Sequence, residues 1–305
     1  MKRFMRAAII TAVIALVLPL FAWATKKEPG SRQTPPKVTA LVCSFNPGDA
    51  EWPPEPHVYV VGGCVAGKGW IEGGKATGLL HKGDRLSLCA LETSSLGHVV
   101  LTSSDGGKGG YGGITVLAFP VKVRIPPQKK AAYAKARKHR LYMLAAWNPQ
   151  GRAPRWITGR ILDKDSSRYR KVIADWLRHR GIPEDVIKKV VIEQIVLADI
   201  NRDGHNETFL SFYTAGMAPE AFEPPSKRTF SYVIMRYRPP RSRDPKTVVV
   251  QYDTLVHDVA GFCDLDGDGW AEVITGSDTG ESGGDDLHHW VGDRFETFKG
   301  WRAGV

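Results

Sequence analysis

The stretch DINRDGHNE at residues 199–207 returns as DLDGDGWAE at residues 264–272, 65 positions further along the chain. Both nine-residue stretches carry oxygen-bearing side chains at positions 1, 3, 5 and 9 and glycine at position 6. A tight turn can aim the first three of these side chains at one point, and glycine permits the sharp bend that a Cβ would hinder. The chain therefore contains two copies of one loop design, here named loop 1 (199–207) and loop 2 (264–272).

Oxygen ligands in this number suit calcium, a hard cation that takes six to eight oxygens at about 2.3–2.6 Å. Magnesium demands a smaller and stricter octahedron and keeps its waters, so it fits a crowded loop less well. Acidic turns without metal use the same residue types, but a second copy with the same four oxygen positions favours two calcium sites. The expected ligands are Asp199, Asn201, Asp203, the carbonyl of His205 and Glu207 in loop 1, and Asp264, Asp266, Asp268, the carbonyl of Trp270 and Glu272 in loop 2. With four carboxylates against three, loop 2 is predicted to bind more tightly.

An EF-hand is excluded because its loop needs an acid at position 12, where these loops have Leu210 and Thr275. The flanking residues 194–198 and 271–275 are apolar or alternate, as in strands. The loops resemble those of FG-GAP and VCBS repeat proteins, the integrin-propeller type of calcium loop, with the pattern D-x-[DN]-x-D-G-x-x-[DE] before an apolar strand.

The resemblance is specific over each loop and the strand after it, and fainter from about Tyr169 to the C-terminus, where it extends to secreted bacterial proteins with a short helix before two repeats. It implies bound calcium and a structural or binding role, seldom catalysis. Residues 287–298 look like the closing hairpin of one blade. Two loops are too few for a full ring, so a partial propeller or an open stack of two or three blades is expected.

The N-terminus has the three parts of a secretory signal peptide: a basic start, an apolar run over residues 7–21, and Ala-Trp-Ala at 22–24. The run is shorter than the ~20 apolar residues of a membrane-spanning helix. We therefore expect cleavage after Ala24, no transmembrane anchor in the mature chain, and a periplasmic or secreted protein.

The rest of the chain is predicted to be mainly β with a few helices. Residues 25–37 are typical of a disordered leader, and residues 38–125 of a small β-barrel or sandwich with glycine and proline clusters between strands. Residues 126–181 form a basic linker with helical segments, and the apolar spacing at 165–181 predicts an amphipathic helix capped by Asp165 or Ser166. Residues 182–305 are predicted to be the FG-GAP/VCBS-like β repeats, with strands at 190–198, 208–213, 230–237, 247–252, 271–276 and 287–298.

The net charge of +10 is unevenly spread, because residues 121–181 hold 17 Lys and Arg against three Asp, whereas acids outnumber bases after residue 182. Most of this charge is expected on solvated surface, and a positive stripe could also attract an anionic envelope polymer or a protein. Nucleic acid is not an expected partner, since no recognised binding motif accompanies the charge.

The four cysteines are disulfide candidates in an oxidising compartment: Cys43, Cys64, Cys89 and Cys263. Sequence does not distinguish the three possible pairings. Three of them lie in the N-terminal part, so either one of these stays free or Cys263 reaches across the chain, and we favour Cys43 with Cys64.

The sequence contains no signature of a serine hydrolase, a zinc protease or a P-loop enzyme. The most suggestive remaining cluster is Asp285, Asp286, His288 and His289. Adjacent strand histidines point to opposite faces, and the acids follow Gly and Ser, so a polar hairpin is predicted. The leading hypothesis is an exported, calcium-binding, non-enzymatic binding or scaffold protein. The alternatives are a hydrolase with structural calcium and an active site between the domains, and attachment to the cell envelope through a basic surface.

Overall fold

A computed structural model describes residues 36–48, 55–109, 116–138, 142–151, 154–214, 226, 229–253, 255–278 and 283–303. The predicted signal peptide and most of the predicted leader lie outside these residues. The described chain is mainly β, as predicted, with several antiparallel sheets. Its strands are β1 (Ala40–Asn46), β2 (His57–Val65), β3 (Gly69–Glu72), β4 (Arg85–Ala90), β5 (Thr93–Leu101), β6 (Gly107–Gly109), β7 (Val116–Arg124), β8 (Met143–Trp147), β9 (Arg155–Ile157), β10 (Arg160–Ile161), β11 (Val190–Ala198), β12 (Glu207–Thr214), β13 (Ser231–Tyr237), β14 (Lys246–Asp253), β15 (Asp258–Asp264), β16 (Glu272–Asp278), β17 (Gly283–Trp290) and β18 (Phe295–Ala303).

The helices are short, and they join the strands. They are α1 (Gly73–Ala76), α2 (Lys130–Lys138), α3 (Ser167–His179) and α4 (Glu184–Ile187), with 3₁₀ turns at Thr77–Leu79 and Pro127–Lys129. The predicted helix at 165–181 is α3, and Ile173 and Leu177 on its apolar face are buried against sheet residues that include Phe212. Ser166 occupies the N-cap position but its side chain accepts no capping hydrogen bond, so that detail of the prediction is wrong.

Sheet 1 is eight-stranded, in the order β3-β2-β1-β8-β4-β5-β7-β6, and an additional β2–β7 pairing closes it into a ring. Its interior is filled by apolar side chains from alternate strand positions, such as Leu41, Leu88 and Phe119. Alternation of buried and exposed positions follows from the two-residue period of a strand.

The segment 126–181, predicted as a basic linker with helices, also supplies three strands. All five residues of β8 are buried, and β8 inserts between β1 and β4 of sheet 1. β9 and β10 pair instead with β15 and β11. The sequence did not identify β8 as a strand, because a continuous apolar run of five residues has no periodicity that distinguishes a strand from a helix.

Sheets 2 and 3 share one strand order. Sheet 2 runs β10-β11-β12-β13-β14, and sheet 3 runs β9-β15-β16-β17-β18. In both, a short strand pairs with the first of four consecutive antiparallel strands, and an acidic loop joins the first strand to the second. The repeat of the loops therefore extends to the sheets that carry them.

Sheet 3 packs against both of the other sheets. On one side, Phe262 of β15 packs 4.8 Å, between ring centroids, from Phe209 of β12 in sheet 2. On the other side, Ile274 and Leu287 share a buried cluster with Val42 and Val61 of sheet 1. Loop 2 contacts both neighbouring sheets, because Leu265 belongs to the cluster with sheet 1 and Ala271 to the cluster with sheet 2.

Candidate metal centre

Loop 1 is held by hydrogen bonds between its acidic side chains and its own backbone. The two carboxylate oxygens of Asp199 accept the N–H groups of Asp203 and Gly204, each at 3.1 Å. The side-chain oxygen of Asn201 accepts the Asp203 N–H at 3.0 Å, and Asp203 in turn accepts the His205 N–H at 2.8 Å. Such side-chain-to-backbone bonds are the usual use of Asp and Asn in turns, and they fix the direction of the side chains at positions 1, 3 and 5.

Loop 2 repeats the hydrogen bonds of positions 3 and 5, whereas the aspartate at position 1 accepts a different backbone N–H. Asp266 accepts the Asp268 N–H at 3.0 Å, and Asp268 accepts the Trp270 N–H at 2.7 Å. Asp264 accepts the Gly267 N–H at 2.8 Å. Carboxylate oxygens of Asp264, Asp266 and Asp268 all lie within 4.8 Å of one another, so three of the five predicted ligands of loop 2 converge.

The glutamate at position 9 closes each loop in the same way. One carboxylate oxygen of Glu207 accepts the Ile200 N–H at 3.0 Å, and one of Glu272 accepts the Leu265 N–H at 2.8 Å. Both glutamates are buried, with 2% and 0% of their surface exposed. The second oxygen of Glu207 accepts a hydrogen bond from the Asn201 side-chain amide, and the second oxygen of Glu272 lies 3.0 Å from His289 Nδ1.

The backbone bends of the two loops also agree. Position 6 has positive φ in both, at 85° for Gly204 and 100° for Gly269, as the sequence predicted. Position 4 has positive φ as well, at 59° for Arg202 and 77° for Gly267. The second bend was not predicted, because arginine at this position of loop 1 gives no signal for the left-handed region.

Burial and mutual repulsion raise the pKa values of the acids. Burial, with a further contribution from Asp203 and Asp199, raises the pKa of Glu207 to about 7. In loop 2, burial and the neighbouring Asp268 raise the pKa of Asp266 to about 6, and burial raises that of Glu272 well above its ordinary value. A divalent cation would stabilise the ionised forms, because an opposite charge within a few ångströms offsets desolvation.

The two loops are in direct contact. The Ala271 N–H of loop 2 donates to the Ile200 carbonyl of loop 1 at 2.8 Å. The Arg202 guanidinium of loop 1 lies 2.8 Å from a carboxylate oxygen of Asp264, whose side chain is 4% exposed. Sequence reasoning missed this ion pair, since it depends on how sheets 2 and 3 pack.

The residues at position 7 differ in their surroundings. The His205 side chain is exposed, as predicted from a role for its carbonyl alone. The Trp270 indole stacks on Trp290, with ring centroids 5.2 Å apart and planes at 16°. The carbonyl ligands of both residues stay predictions.

A histidine outside the predicted ligands completes the surroundings of loop 2. His289 Nδ1 lies 3.0 Å from Glu272 Oε1, and ligand atoms of Asp266, Glu272 and His289 lie within 4.8 Å of one another. Burial lowers the pKa of His289 to about 4, which leaves the imidazole neutral at physiological pH. The only indication of this contact in the sequence was that adjacent histidines on a strand, at 288 and 289, point to opposite faces.

β17 and β18 form a hairpin, as predicted, but the other members of that cluster are buried in strand β17 and do not lie in the loop that the preceding Gly and Ser suggested. Asp285 and Asp286 lie in β17 and are 1% and 0% exposed. Asp286 accepts a hydrogen bond from Gln251 at 3.1 Å, and Asp285 accepts one from the Ser44 hydroxyl. His288 bonds to the hydroxyls of Thr275 and Thr297 at 2.8 and 3.0 Å. These contacts join strands within the core.

All four cysteines are buried and free. Cys43 belongs to the interior of sheet 1, whereas Cys64, Cys89 and Cys263 belong to the cluster between sheets 1 and 3. The favoured pairing of Cys43 with Cys64 is therefore wrong, because the two side chains lie in different cores.

A cavity of about 410 Å³ adjoins loop 1. Its lining includes His205 and Glu207 of the loop, Arg168 of α3, Arg236 of β13 and Arg238 beyond that strand. Among the residues described, none of the three guanidinium groups forms an ion pair, and Arg168 instead lies 5.7 Å from the Tyr169 ring centroid. The cavity therefore gathers three guanidinium groups together with two carboxylates of loop 1, those of Asp203 and Glu207.

In the described part of the chain, no helix is both long enough and apolar enough to cross a membrane. Comparison of the chain with protein-family models, with curated proteins and with solved structures gives no match. Function is therefore argued from the geometry of the site.

Proposed function

We propose that this protein is an exported, calcium-stabilised, non-enzymatic binding or scaffold protein of the FG-GAP/VCBS type. Its signal peptide at 1–24 directs it to the periplasm or the medium. Calcium occupies loop 1 and loop 2, and sheets 2 and 3 act as two blades of a partial propeller, on which sheet 1 packs.

The observation that carries the proposal is the identity of construction of the two loops. Each has the same hydrogen bonds at positions 3, 5 and 9, the same two positive-φ positions and the same place in a sheet of the same strand order. An ordinary acidic turn needs only one or two of these features. Repeated oxygen ligands without thiolates suit a hard cation, and calcium accepts the irregular geometry of such a loop.

The ion acts as a clamp between the repeats. Ile200 and Leu265, at position 2 of each loop, are buried, and their N–H groups are bonded to the closing glutamates. Since loop 2 also bonds to loop 1 through Ala271, ordering of either loop by calcium stabilises the packing of sheet 2 on sheet 3.

The hydrolase alternative places an active site between the domains, where its acids and histidines would have to be accessible to substrate. His257, Asp285, Asp286 and His288 are each at most 1% exposed. Substrate could reach them only if the sheets separated, which favours the binding or scaffold role.

The test is thermal unfolding with EDTA and with excess calcium. At free calcium about 100 times the dissociation constant, one site adds about 2.7 kcal/mol, which corresponds to roughly 5–10 °C in melting temperature for a chain of this size. Asp203→Asn and Asp268→Asn, both at exposed positions, should each remove the stabilisation that calcium gives at one of the two sites. Asp244→Asn, in an exposed turn outside the loops, is the matched control. Equal melting temperatures in EDTA and calcium would contradict the proposal.

The arginine cavity supports a second candidate, attachment to an anionic envelope polysaccharide. Arginine forms two parallel hydrogen bonds with carboxylate or sulfate groups, and the cavity volume lies within the range usual for ligand sites. Calcium in loop 1 would add a further positive charge beside the three guanidinium groups.

Retention on an immobilised sulfated polysaccharide tests this candidate. Arg236→Gln and Arg238→Gln should weaken retention and reduce its dependence on salt, whereas Arg241→Gln, exposed and outside the cavity lining, should not. Equal loss in all three variants would indicate attraction by net charge alone.

A further inference from the structure

We propose that His289 converts loop 2 into a mixed nitrogen and oxygen site, which binds a borderline divalent metal of the zinc type through Asp266, Glu272 and His289. The inference rests on the metal binding proposed for loop 2 and gives the two loops different metal preferences.

The geometry of the three groups fits such a metal. Zinc binds imidazole nitrogen at about 2.0–2.1 Å and carboxylate oxygen at about 2.0–2.2 Å. Two ligands of one ion can therefore be at most about 4.4 Å apart, and neighbouring ligands are nearer to 3 Å. The separation of 3.0 Å between His289 Nδ1 and Glu272 Oε1 is that of a neighbouring pair. Asp266 has a ligand atom within 4.8 Å of both, so a shift of about half an ångström at most brings all three within the limit.

The imidazole is held in place by sheet 1. Trp70 of β3 stacks on His289 with ring centroids 4.2 Å apart and planes at 29°. Trp70 also stacks on Phe298 of β18, with ring centroids 5.8 Å apart. His289 is 6% exposed. A ring fixed by stacking and burial loses little freedom when it binds a metal, which favours affinity.

In loop 1, no imidazole lies beside the closing glutamate, Glu207, among the described residues. There, Glu207 Oε1 accepts a hydrogen bond from the side-chain amide of Asn201 at 3.2 Å. In loop 2 the residue at position 3 is Asp266, and the group beside the glutamate is an imidazole from β17. The two otherwise equal loops differ here by one carboxylate and one nitrogen ligand, and nitrogen ligands favour zinc over calcium.

The experiment compares zinc and calcium binding in metal-free full-length protein by calorimetry. His289→Gln should weaken zinc binding at least tenfold and change calcium binding less than threefold. His81→Gln, exposed and outside both loops, is the matched control and should change neither. Unaltered zinc affinity in His289→Gln would overturn the inference.

A second measurement does not depend on the folding of a variant. In protein labelled with ¹⁵N-histidine, zinc should shift the Nδ1 resonance of His289, identified by nuclear Overhauser contacts with the Trp70 indole. A shift at another histidine, or none, would overturn the inference. Calcium uptake without a zinc response at His289 refutes this inference alone, whereas a zinc response without calcium uptake by either loop refutes the proposed calcium function alone.

Discussion

The Arg202 guanidinium supplies the positive charge beside Asp264, and its replacement by glycine should destabilise the metal-free protein selectively. Removing one partner of a buried ion pair costs about 3–5 kcal/mol. Since the Arg202 side chain is 25% exposed, water can reach the site and about 2–3 kcal/mol is expected. Relief of the positive φ, about 1 kcal/mol, is offset by the greater chain entropy of glycine in the unfolded state.

With calcium in loop 2, the ion supplies the positive charge beside Asp264, so the loss should fall below about 1 kcal/mol. The difference of about 2 kcal/mol between the two states must appear in the binding equilibrium. Calcium affinity at loop 2 should therefore rise by roughly 10–30-fold, at about 1.4 kcal/mol for each factor of ten.

Urea unfolding in EDTA and in calcium gives the two stabilities, and competition with a chelating dye gives the affinity. Arg241→Gly is the matched control, because Arg241 also has positive φ, at 64°, but lies in an exposed turn and forms no ion pair among the described residues. A loss of equal size in EDTA and calcium, with unchanged affinity, would refute the role assigned to Arg202.

Three further outcomes are expected. Burial and the nearby Glu193 raise the pKa of Asp258 from 3.8 to about 7; the native state therefore holds a proton that the unfolded state has lost, and the free energy of unfolding falls as pH rises between these values. Asp258→Asn should thus raise the free energy of unfolding by about 2 kcal/mol at pH 8, a value that allows for the partial exposure of the side chain, and by little at pH 3. An equal gain at both pH values in urea unfolding would contradict this. Gly300→Ala places a Cβ 2.0 Å from the Asp285 carbonyl oxygen and should cost about 1–3 kcal/mol, whereas Gly74→Ala, with no atom within 4 Å of the added Cβ, should not destabilise the protein. Ellman's reagent should detect four thiols in denaturant without reductant, and almost none in the native protein because all are buried; fewer than four in denaturant would indicate a disulfide.

The sequence predicted the elements whose pattern is local. The strand at 190–198 is β11, with the predicted bounds, and the predicted strands at 230–237 and 247–252 are β13 and β14 within one residue. Their β-branched and aromatic residues favour strands in any context. The loop side chains at positions 1, 3, 5 and 9 were predictable for the same reason, because their hydrogen bonds to the backbone lie within a stretch of nine residues.

Features that depend on packing between sheets were not predictable. β15 (Asp258–Asp264) was missed because its glycine and cysteine give little strand signal, although it is buried between sheets 1 and 2. Cys43 and Cys64 lie on neighbouring strands but on opposite sides of sheet 1, which only the register reveals. His289 and Arg202 reach loop 2 from distant parts of the sequence.

The stacked indoles of Trp270 and Trp290 give the protein an intrinsic optical reporter. Two nearly parallel chromophores at 5.2 Å couple their transitions, so their near-ultraviolet circular dichroism depends on their relative orientation. Trp270 occupies position 7 of loop 2, whereas Trp290 belongs to the rigid strand β17. A rearrangement of the loop backbone upon the proposed cation uptake would turn one ring relative to the other, so that occupancy could be followed by this signal in unlabelled protein.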